Sequence, residues 1–233
     1  MRTIGLIGGM SWESTMPHYR MINQTIKDHL GGLHSAKVIL YSVDLQPIVE
    51  LQHTGNWLEA GRQLAEVALL LQSAGAESIV LCTNTMHKVA PAIERVVNIP
   101  LLHVVDVTAE AIKKSNFKTV GLLGTRFTME QDFYRKKFEI EHDISIVTPN
   151  ETDRETVHQV IYQELCLGKT LDSSRTEYLR IIQRLIDNGA EAIILGCTEI
   201  SMLVHQDDCF VPLFDTTALH AKYAAKWALS ESY

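Results

Sequence analysis

The chain is written twice. Residues 4–8 read Ile-Gly-Leu-Ile-Gly and residues 120–124 read Val-Gly-Leu-Leu-Gly, an offset of 116. Tyr19-Arg20 returns as Tyr134-Arg135 at 115, and Gly75-Ala76-Glu77-Ser78-Ile79-Val80-Leu81 returns as Gly189-Ala190-Glu191-Ala192-Ile193-Ile194-Leu195 at 114. Three blocks in one order, with an offset that drifts by two residues, mark a duplicated unit. Its period is far longer than the roughly 20–50 residues of a solenoid repeat, so the duplication predicts two similar lobes.

Each unit alternates short apolar runs with helical patterns. In the first, residues 4–7, 38–43 and 79–81 read as strands, and residues 57–73 as a helix with Trp57, Leu58, Leu64, Val67, Ala68 and Leu71 at helical spacing. In the second, residues 119–123 and 192–195 are strands and residues 155–166 and 175–187 helices, the last stopped at Gly189. Continuous apolar strands alternating with helices predict parallel sheets covered on both faces. The expected fold is α/β: two pseudo-symmetric three-layer lobes with mainly parallel sheets and the active site between them. The run at 97–103, with Pro100, reads as the crossover, and a last helix at 216–229 returns to the first lobe. The lobes are thus 1–100 plus 208–233, and 101–207.

Composition removes several classes. Lys and Arg number 21 against 28 Asp and Glu, a formal charge of −7. An acidic surface argues against a nucleic-acid partner, and no apolar run approaches the roughly 18 residues of a membrane span. The four cysteines, Cys82, Cys166, Cys197 and Cys209, form no C-x-x-C pair, which predicts free thiols in a cytoplasmic protein. The ten histidines show no metal-ligand spacing, so no metal is expected.

Parallel α/β sheets bind ligands beyond the carboxyl ends of their strands. Aligning the two late strands on Gly-Ala-Glu matches Thr83 with Cys197. The first strand continues Thr83-Asn84-Thr85-Met86-His87 and the second Cys197-Thr198-Glu199-Ile200. Each polar cluster is expected to enter a helix, whose free N–H groups and positive dipole end bind carboxylate and lower a thiol pKa. Cys197 is therefore read as reactive, and Cys166 and Cys209 as packing residues. Gly8-Gly9-Met10-Ser11 follows the first strand and offers backbone N–H groups to an α-carboxylate; it is neither G-x-G-x-x-G nor a Walker loop. Thr125 and Thr128 are further donors. Glu199 orients or deprotonates Cys197, or caps its helix; His87 faces the site or is structural; Asp44 supports the site or caps a helix.

These residues carry a resemblance. Met-Ser-Trp-Glu-Ser-Thr near the N-terminus, Cys-Thr-Asn-Thr-Met-His at 82–87 and Gly-Cys-Thr-Glu at 196–199 resemble the aspartate/glutamate racemase family over essentially the whole chain, and within it the bacterial L-aspartate/glutamate-specific racemases. The resemblance implies two α/β lobes, a homodimer, a small acidic amino acid as substrate, and no cofactor: neither pyridoxal phosphate nor a metal. It also implies two cysteines on opposite sides of the substrate α-carbon, one taking its proton and the other delivering one.

The sequence departs from that pattern where the family has Cys-Asn-Thr and this chain has Thr83-Asn84-Thr85. Cys82 lies one residue early, and one residue along a strand turns a side chain to the other face. The expected pair is therefore Cys197 as thiolate base and Thr83 as opposing proton donor or relay. In the racemases that the chain resembles, the second-half cysteine attacks the L-enantiomer, so the resemblance implies an L-amino acid as preferred substrate and slow return from D. Where family members carry an Arg this chain has Gln52, and where others carry a Lys it has Cys166 in Glu164-Leu165-Cys166-Leu167-Gly168; Arg126 either compensates or sits on the surface. Expected substrate contacts are Met10, Ser11, Gln52, Asn84, Thr85, Thr125, Thr128, Thr198 and Glu199. Two other readings stand beside racemisation of aspartate or glutamate. One is a related dicarboxylate isomerase or decarboxylase, the other a catalytically weakened amino-acid-binding module.

Overall fold

The computed structural model describes residues 1–230. Contacts divide the chain into two compact units, Met1–His103 with the chain from His220, and Val104–Leu219.

The first unit holds a parallel sheet of order β2-β1-β3, with β1 at Ile4–Gly8, β2 at Val38–Ser42 and β3 at Ser78–Leu81. Its helices are α1 (Trp12–Leu30), α2 (Leu45–His53), α3 (Trp57–Ser73) and the short α4 (Ala90–Glu94). Strand β1 is central and wholly buried, which is why it reads as an unbroken apolar run. Alternation sends its side chains to two separate cores. Ile4 and Leu6 pack with Ile22 and Ile26 of α1 and with Ala221, Ala224, Ala225 and Ala228 of the C-terminal helix. Ile7 packs on the other face with Leu64, Ala68 and Leu71 of α3. The alanines let the C-terminal helix lie close to the sheet.

The second unit runs α5 (Val104–Lys114), β4 (Thr119–Gly124), α6 (Arg126–Glu130), α7 (Asp132–Lys136), β5 (Ser145–Val147), α8 (Glu151–Gln163), α9 (Asp172–Asp187), β6 (Ala192–Gly196) and β7 (Leu213–Asp215), and ends in the first turn of the C-terminal helix α10 (Thr216–Leu229), the rest of which belongs to the first unit. Its parallel sheet has the order β5-β4-β6-β7. The first three strands repeat the topology of the first unit, the earliest strand lying between the other two. Strands β5 and β7 are three residues each and largely half-buried, too short for a periodic signal.

The strand β7 also moves the lobe boundary. Residues 208–219, assigned from sequence to the first lobe, belong to the second, because Leu213–Asp215 extends its sheet beside β6. Residues 101–103 belong to the first, because Leu101 bridges to Ile79 and the Leu102 N–H donates to the Ile79 carbonyl at 2.9 Å.

The repeated Gly-Ala-Glu has a structural reason in each unit. Gly75 and Gly189 end α3 and α9 with φ of 98° and 93°, and the next N–H reaches back five residues, Ala76 to Leu71 and Ala190 to Leu185, each at 3.0 Å. The alanine is buried. The glutamate then fastens the start of the central strand: Glu77 accepts from the Thr3 N–H at 2.7 Å, and Glu191 from the Lys118 and Thr119 N–H groups at 2.8 and 2.9 Å. Those two bonds hold the Glu191 carboxyl below the usual range. Because an L side chain in the left-handed region costs about 1–2 kcal/mol, Gly189→Ala is expected to lower the thermal midpoint by several degrees. Gly189→Asn, whose side chain tolerates that region, is expected to lower it less, both read by circular dichroism.

Candidate active site

In each unit the central strand and the late strand pair in register, so their carboxyl ends emerge side by side. In the first, Ile7 pairs with Leu81; in the second, Gly124 pairs with Gly196. The residues that follow are the candidate functional groups.

In the first unit these are Gly9-Met10-Ser11 after β1 and Cys82-Thr83-Asn84-Thr85 after β3. Cys82 is fully buried with Ile4, Leu6 and Val80, and burial pushes its thiol up to about 12. At Thr83, which is buried, a tight turn carries the N–H to the Leu81 carbonyl at 2.8 Å. Asn84 and Thr85 are buried beside it. The helix expected here is a five-residue 3-10 turn, Thr85–Val89, followed by α4. Pro91 explains the break, because its ring excludes the carbonyl four residues back. Gln52, near the end of α2, donates from Nε2 to the Met86 sulfur at 3.0 Å, which seats it against this turn.

The glycine loop differs from the expected carboxylate cradle. Gly9 has φ of 87°, and a Cβ there would lie 2.1 Å from the Val43 carbonyl oxygen, so only glycine fits. Its N–H is already spent on Thr15 Oγ1 at 2.9 Å. Thr15 in turn donates to the Ser11 carbonyl at 2.8 Å, and Ser11 Oγ caps α1 by accepting from the Ser14 N–H. Met10 and Ser11 are buried at this corner. Asp44 caps α2 through the Gln46 N–H.

Behind Thr83 lies a group of histidines that the sequence reading passed over apart from His87. His87 Nδ1 lies 2.7 Å from the Thr83 carbonyl; a carbonyl only accepts, so that nitrogen carries the hydrogen. Its ring stands 4.5 Å from His103 and 5.9 Å from His220, and His220 stands 5.8 Å from His18. His220 Nε2 donates to the Leu102 carbonyl at 2.6 Å, leaving buried Nδ1 without a protein partner. Burial, with His18 and His87 nearby, holds His220 well below its ordinary value of 6.5.

In the second unit β6 ends in Cys197-Thr198-Glu199, all buried. The helix expected to follow is a three-residue turn, Ile200–Met202. It supplies no macrodipole, and the thiol moves opposite to the expected direction. Cys197 donates to Glu199 Oε2 at 3.0 Å. Burial first, then the Glu199 charge, pushes the thiol well above its ordinary value. Thr198 Oγ1 donates to the same oxygen at 2.6 Å. Cys166, read from sequence as a packing residue, donates to Glu199 Oε1 at 3.7 Å. It arrives on the connection between α8 and α9, far from β6 in sequence, at the position where the family resemblance implies a Lys. Thr125, emerging beside β6, caps α6 by accepting from the Thr128 N–H at 3.3 Å, with the two hydroxyls 3.2 Å apart.

Arg126 is half exposed and pairs with Glu155 at 3.3 Å, and Glu164 accepts from Ser174 Oγ at 2.6 Å. Among the described residues the one group with metal-ligand reach is Asp106, Glu141 and His142. Lys137 already binds both of its carboxylates, at 3.0 and 2.7 Å.

Two measurements check these environments. His220 stays neutral in the fold but takes a proton near pH 6.5 when unfolded. Above that pH it costs nothing; below it, protons favour the unfolded chain and stability falls as the pH drops towards the depressed folded value. Urea midpoints are expected to fall between pH 7 and 5, and His220→Gln is expected to flatten that slope. Removing the negative charge beside Cys197 lowers its thiol, so Glu199→Gln is expected to speed iodoacetamide alkylation of Cys197 at pH 8 several-fold, read by peptide mass spectrometry.

A family model described as Asp/Glu/hydantoin racemase matches residues 7–224. An Asp/Glu racemase candidate from Yersinia pestis, known by crystal structure, is 56% identical, covers 99% of this chain and 100% of its own, and superposes with a TM-score of 0.92. An aspartate racemase homologue from Pyrococcus horikoshii is 32% identical over 99% of this chain and 100% of its own, with a TM-score of 0.85. A broad specificity amino-acid racemase from Bacillus subtilis is 24% identical over 94% of this chain and 95% of its own. With the match running from β1 into α10, the chain belongs to the Asp/Glu/hydantoin racemase family and is an amino-acid racemase, an isomerase that works without pyridoxal phosphate.

Proposed function

We propose that the protein interconverts the enantiomers of aspartate or glutamate, with Cys197 taking the α-proton of the L-form and Thr83 delivering or relaying a proton to the opposite face. The observation that carries this reading is the Cys197–Glu199 hydrogen bond at 3.0 Å. A neutral buried thiol is no base. Passing its proton to Glu199 creates a thiolate beside a neutral carboxylic acid; the pair keeps its one negative charge during that transfer and becomes neutral when the thiolate takes the α-proton. No additional charge is buried, which a site this enclosed penalises heavily. The Cα–H of an amino acid is a very weak acid, so the nascent carbanion needs fixed donors around the α-carboxylate. Asn84, Thr85, Thr125, Thr128 and Thr198, with Met10 and Ser11, are the groups assigned to that work. Gln52 is assigned to the side-chain carboxylate, which an amide holds less firmly than a bidentate arginine does. The same reading places the enzyme in the cytoplasm as a homodimer. Four free thiols fit a reducing compartment, and exposed Trp12, Met16 and Tyr19 line one face of α1.

A hydroxyl ionises with far more difficulty than a thiol, so the site is lopsided. Enantiomers have equal free energy, which ties kcat/KM to one value in both directions. The asymmetry therefore resides in kcat and in α-proton exchange. In deuterated water, exchange from L-aspartate or L-glutamate is expected to outpace exchange from the D-form. Cys197→Ala is expected to cut exchange from L by about 10²–10⁴-fold. Thr83→Ala is expected to retain exchange from L while losing D product. Proton NMR with chiral chromatography reads all three. Binding without exchange would instead mark a binding module, and loss of the amino group or release of carbon dioxide a related isomerase or decarboxylase.

A further inference from the structure

The racemisation reading gives no task to His87, yet the turn that carries it calls for one. In an α-helix a carbonyl accepts from the N–H four residues on, which would pair the Thr83 carbonyl with the His87 N–H. The turn Thr85–Val89 is 3-10 instead. Each donor then serves the carbonyl three residues back, and the His87 N–H goes to the Asn84 carbonyl at 3.1 Å. The Thr83 carbonyl lies past the end of β3 at Leu81, and Thr83 is buried, where a carbonyl without a donor is costly. The His87 side chain supplies the donor that the backbone withholds. Its Nδ1–H reaches the Thr83 carbonyl at 2.7 Å. The ring is itself buried and packs against His103 at 4.5 Å and His220 at 5.9 Å, so the donor arrives from a fixed direction.

We propose that His87 is a positioning residue for Thr83, its Nδ1–H fixing the peptide that follows Thr83 and with it the aim of the Thr83 hydroxyl. The proposal rests on Thr83 as the group that delivers or relays the second proton. A peptide unit is planar, so a bond to its oxygen restrains the backbone of Thr83 as well as that of Asn84. On the other side the Thr83 N–H is tied to the Leu81 carbonyl at 2.8 Å. With both flanking peptides held, Cα and Cβ of Thr83 are fixed and only the side-chain torsion is left. Without the His87 bond the later peptide can turn, and a misplacement of about 1 Å can cost about a hundredfold in rate. None of these bonds involves Cys197 or its strand. Loss of the His87 donor therefore separates the two proton transfers: abstraction from the L-form continues while delivery slows.

The test compares His87→Leu, which has no donor, and His87→Gln, whose amide falls where Nε2 lay, with His87→Asn, which puts an amide N–H at the Nδ1 position. In deuterated water, with L-aspartate or L-glutamate, whichever the parent turns over, formation of D product is expected to fall about tenfold in Leu and Gln. Their α-proton exchange from L is expected to stay within about twofold and KM within about threefold. Asn is expected to restore the parental ratio of inversion to exchange. A parental ratio in Leu and Gln overturns the proposal. So does a loss that lowers exchange and inversion together, as a merely structural role would, and so does a ratio that Asn leaves as low as Leu does. Should Leu fail to fold, Gln against Asn reads the same ratio. In the parent, nitrogen NMR of isotope-labelled histidine is expected to show the His87 proton on Nδ1, and a proton on Nε2 alone overturns the proposal. Thr83→Ala separates the two ideas. Inversion at the parental rate in that variant defeats the Thr83 reading; inversion lost in it, alongside His87 variants with the parental ratio, defeats only the role given to His87.

Discussion

The in-register parallel pairing of each central strand with its late partner is the constraint on which the rest depends. Ile7 against Leu81 and Gly124 against Gly196 deliver two chain segments side by side at the carboxyl edge of each sheet. The turn after each strand then presents its polar side chains instead of spanning a gap. The second pairing leaves no room for side chains: a Cβ on Gly124 would lie 2.9 Å from the Gly196 carbonyl oxygen, and one on Gly196 2.9 Å from that of Leu123. Gly-Ala-Glu serves the same end from the other side, stopping a helix and clamping the first residues of the central strand.

Electrostatics at the end of β6 runs against the simplest expectation for a reactive cysteine. No long helix points at Cys197, and the nearest charge is the anionic Glu199 carboxylate, so the resting sulfur is protonated. That same carboxylate accepts a hydrogen bond from the Cys197 thiol at 3.0 Å. At Thr83 in the other unit, the carbonyl accepts from His87 Nδ1 at 2.7 Å. The two halves of the duplicated chain thus differ in the residue that follows the late strand, Thr83 in one and Cys197 in the other.

Much of this was legible residue by residue. The α/β architecture and the helix at 57–73 followed from apolar periodicity and from the repeat. Alternation along a strand set Cys82 apart from Thr83, and Cys82 packs with Ile4, Leu6 and Val80. Other features were not legible because their causes lie outside any local window. The two helices expected after β3 and β6 are short turns, one broken by Pro91. Strands β5 and β7 are three residues long, and it is pairing to neighbours that makes them strands. The N–H of Gly9 looked available to a ligand until Thr15, six residues on, took it.

What the sequence determined alone is the framework: the duplication, the parallel sheets, the family motifs, and which residues follow each late strand. These are properties of spacing, and spacing is written in the chain. Only the tertiary structure decided the ionisation of Cys197, the partners of Glu199 and the surroundings of His220. A pKa depends on burial and on charges brought within a few ångströms by distant segments. Cys166 and Glu199 are 33 positions apart, and only folding makes them neighbours.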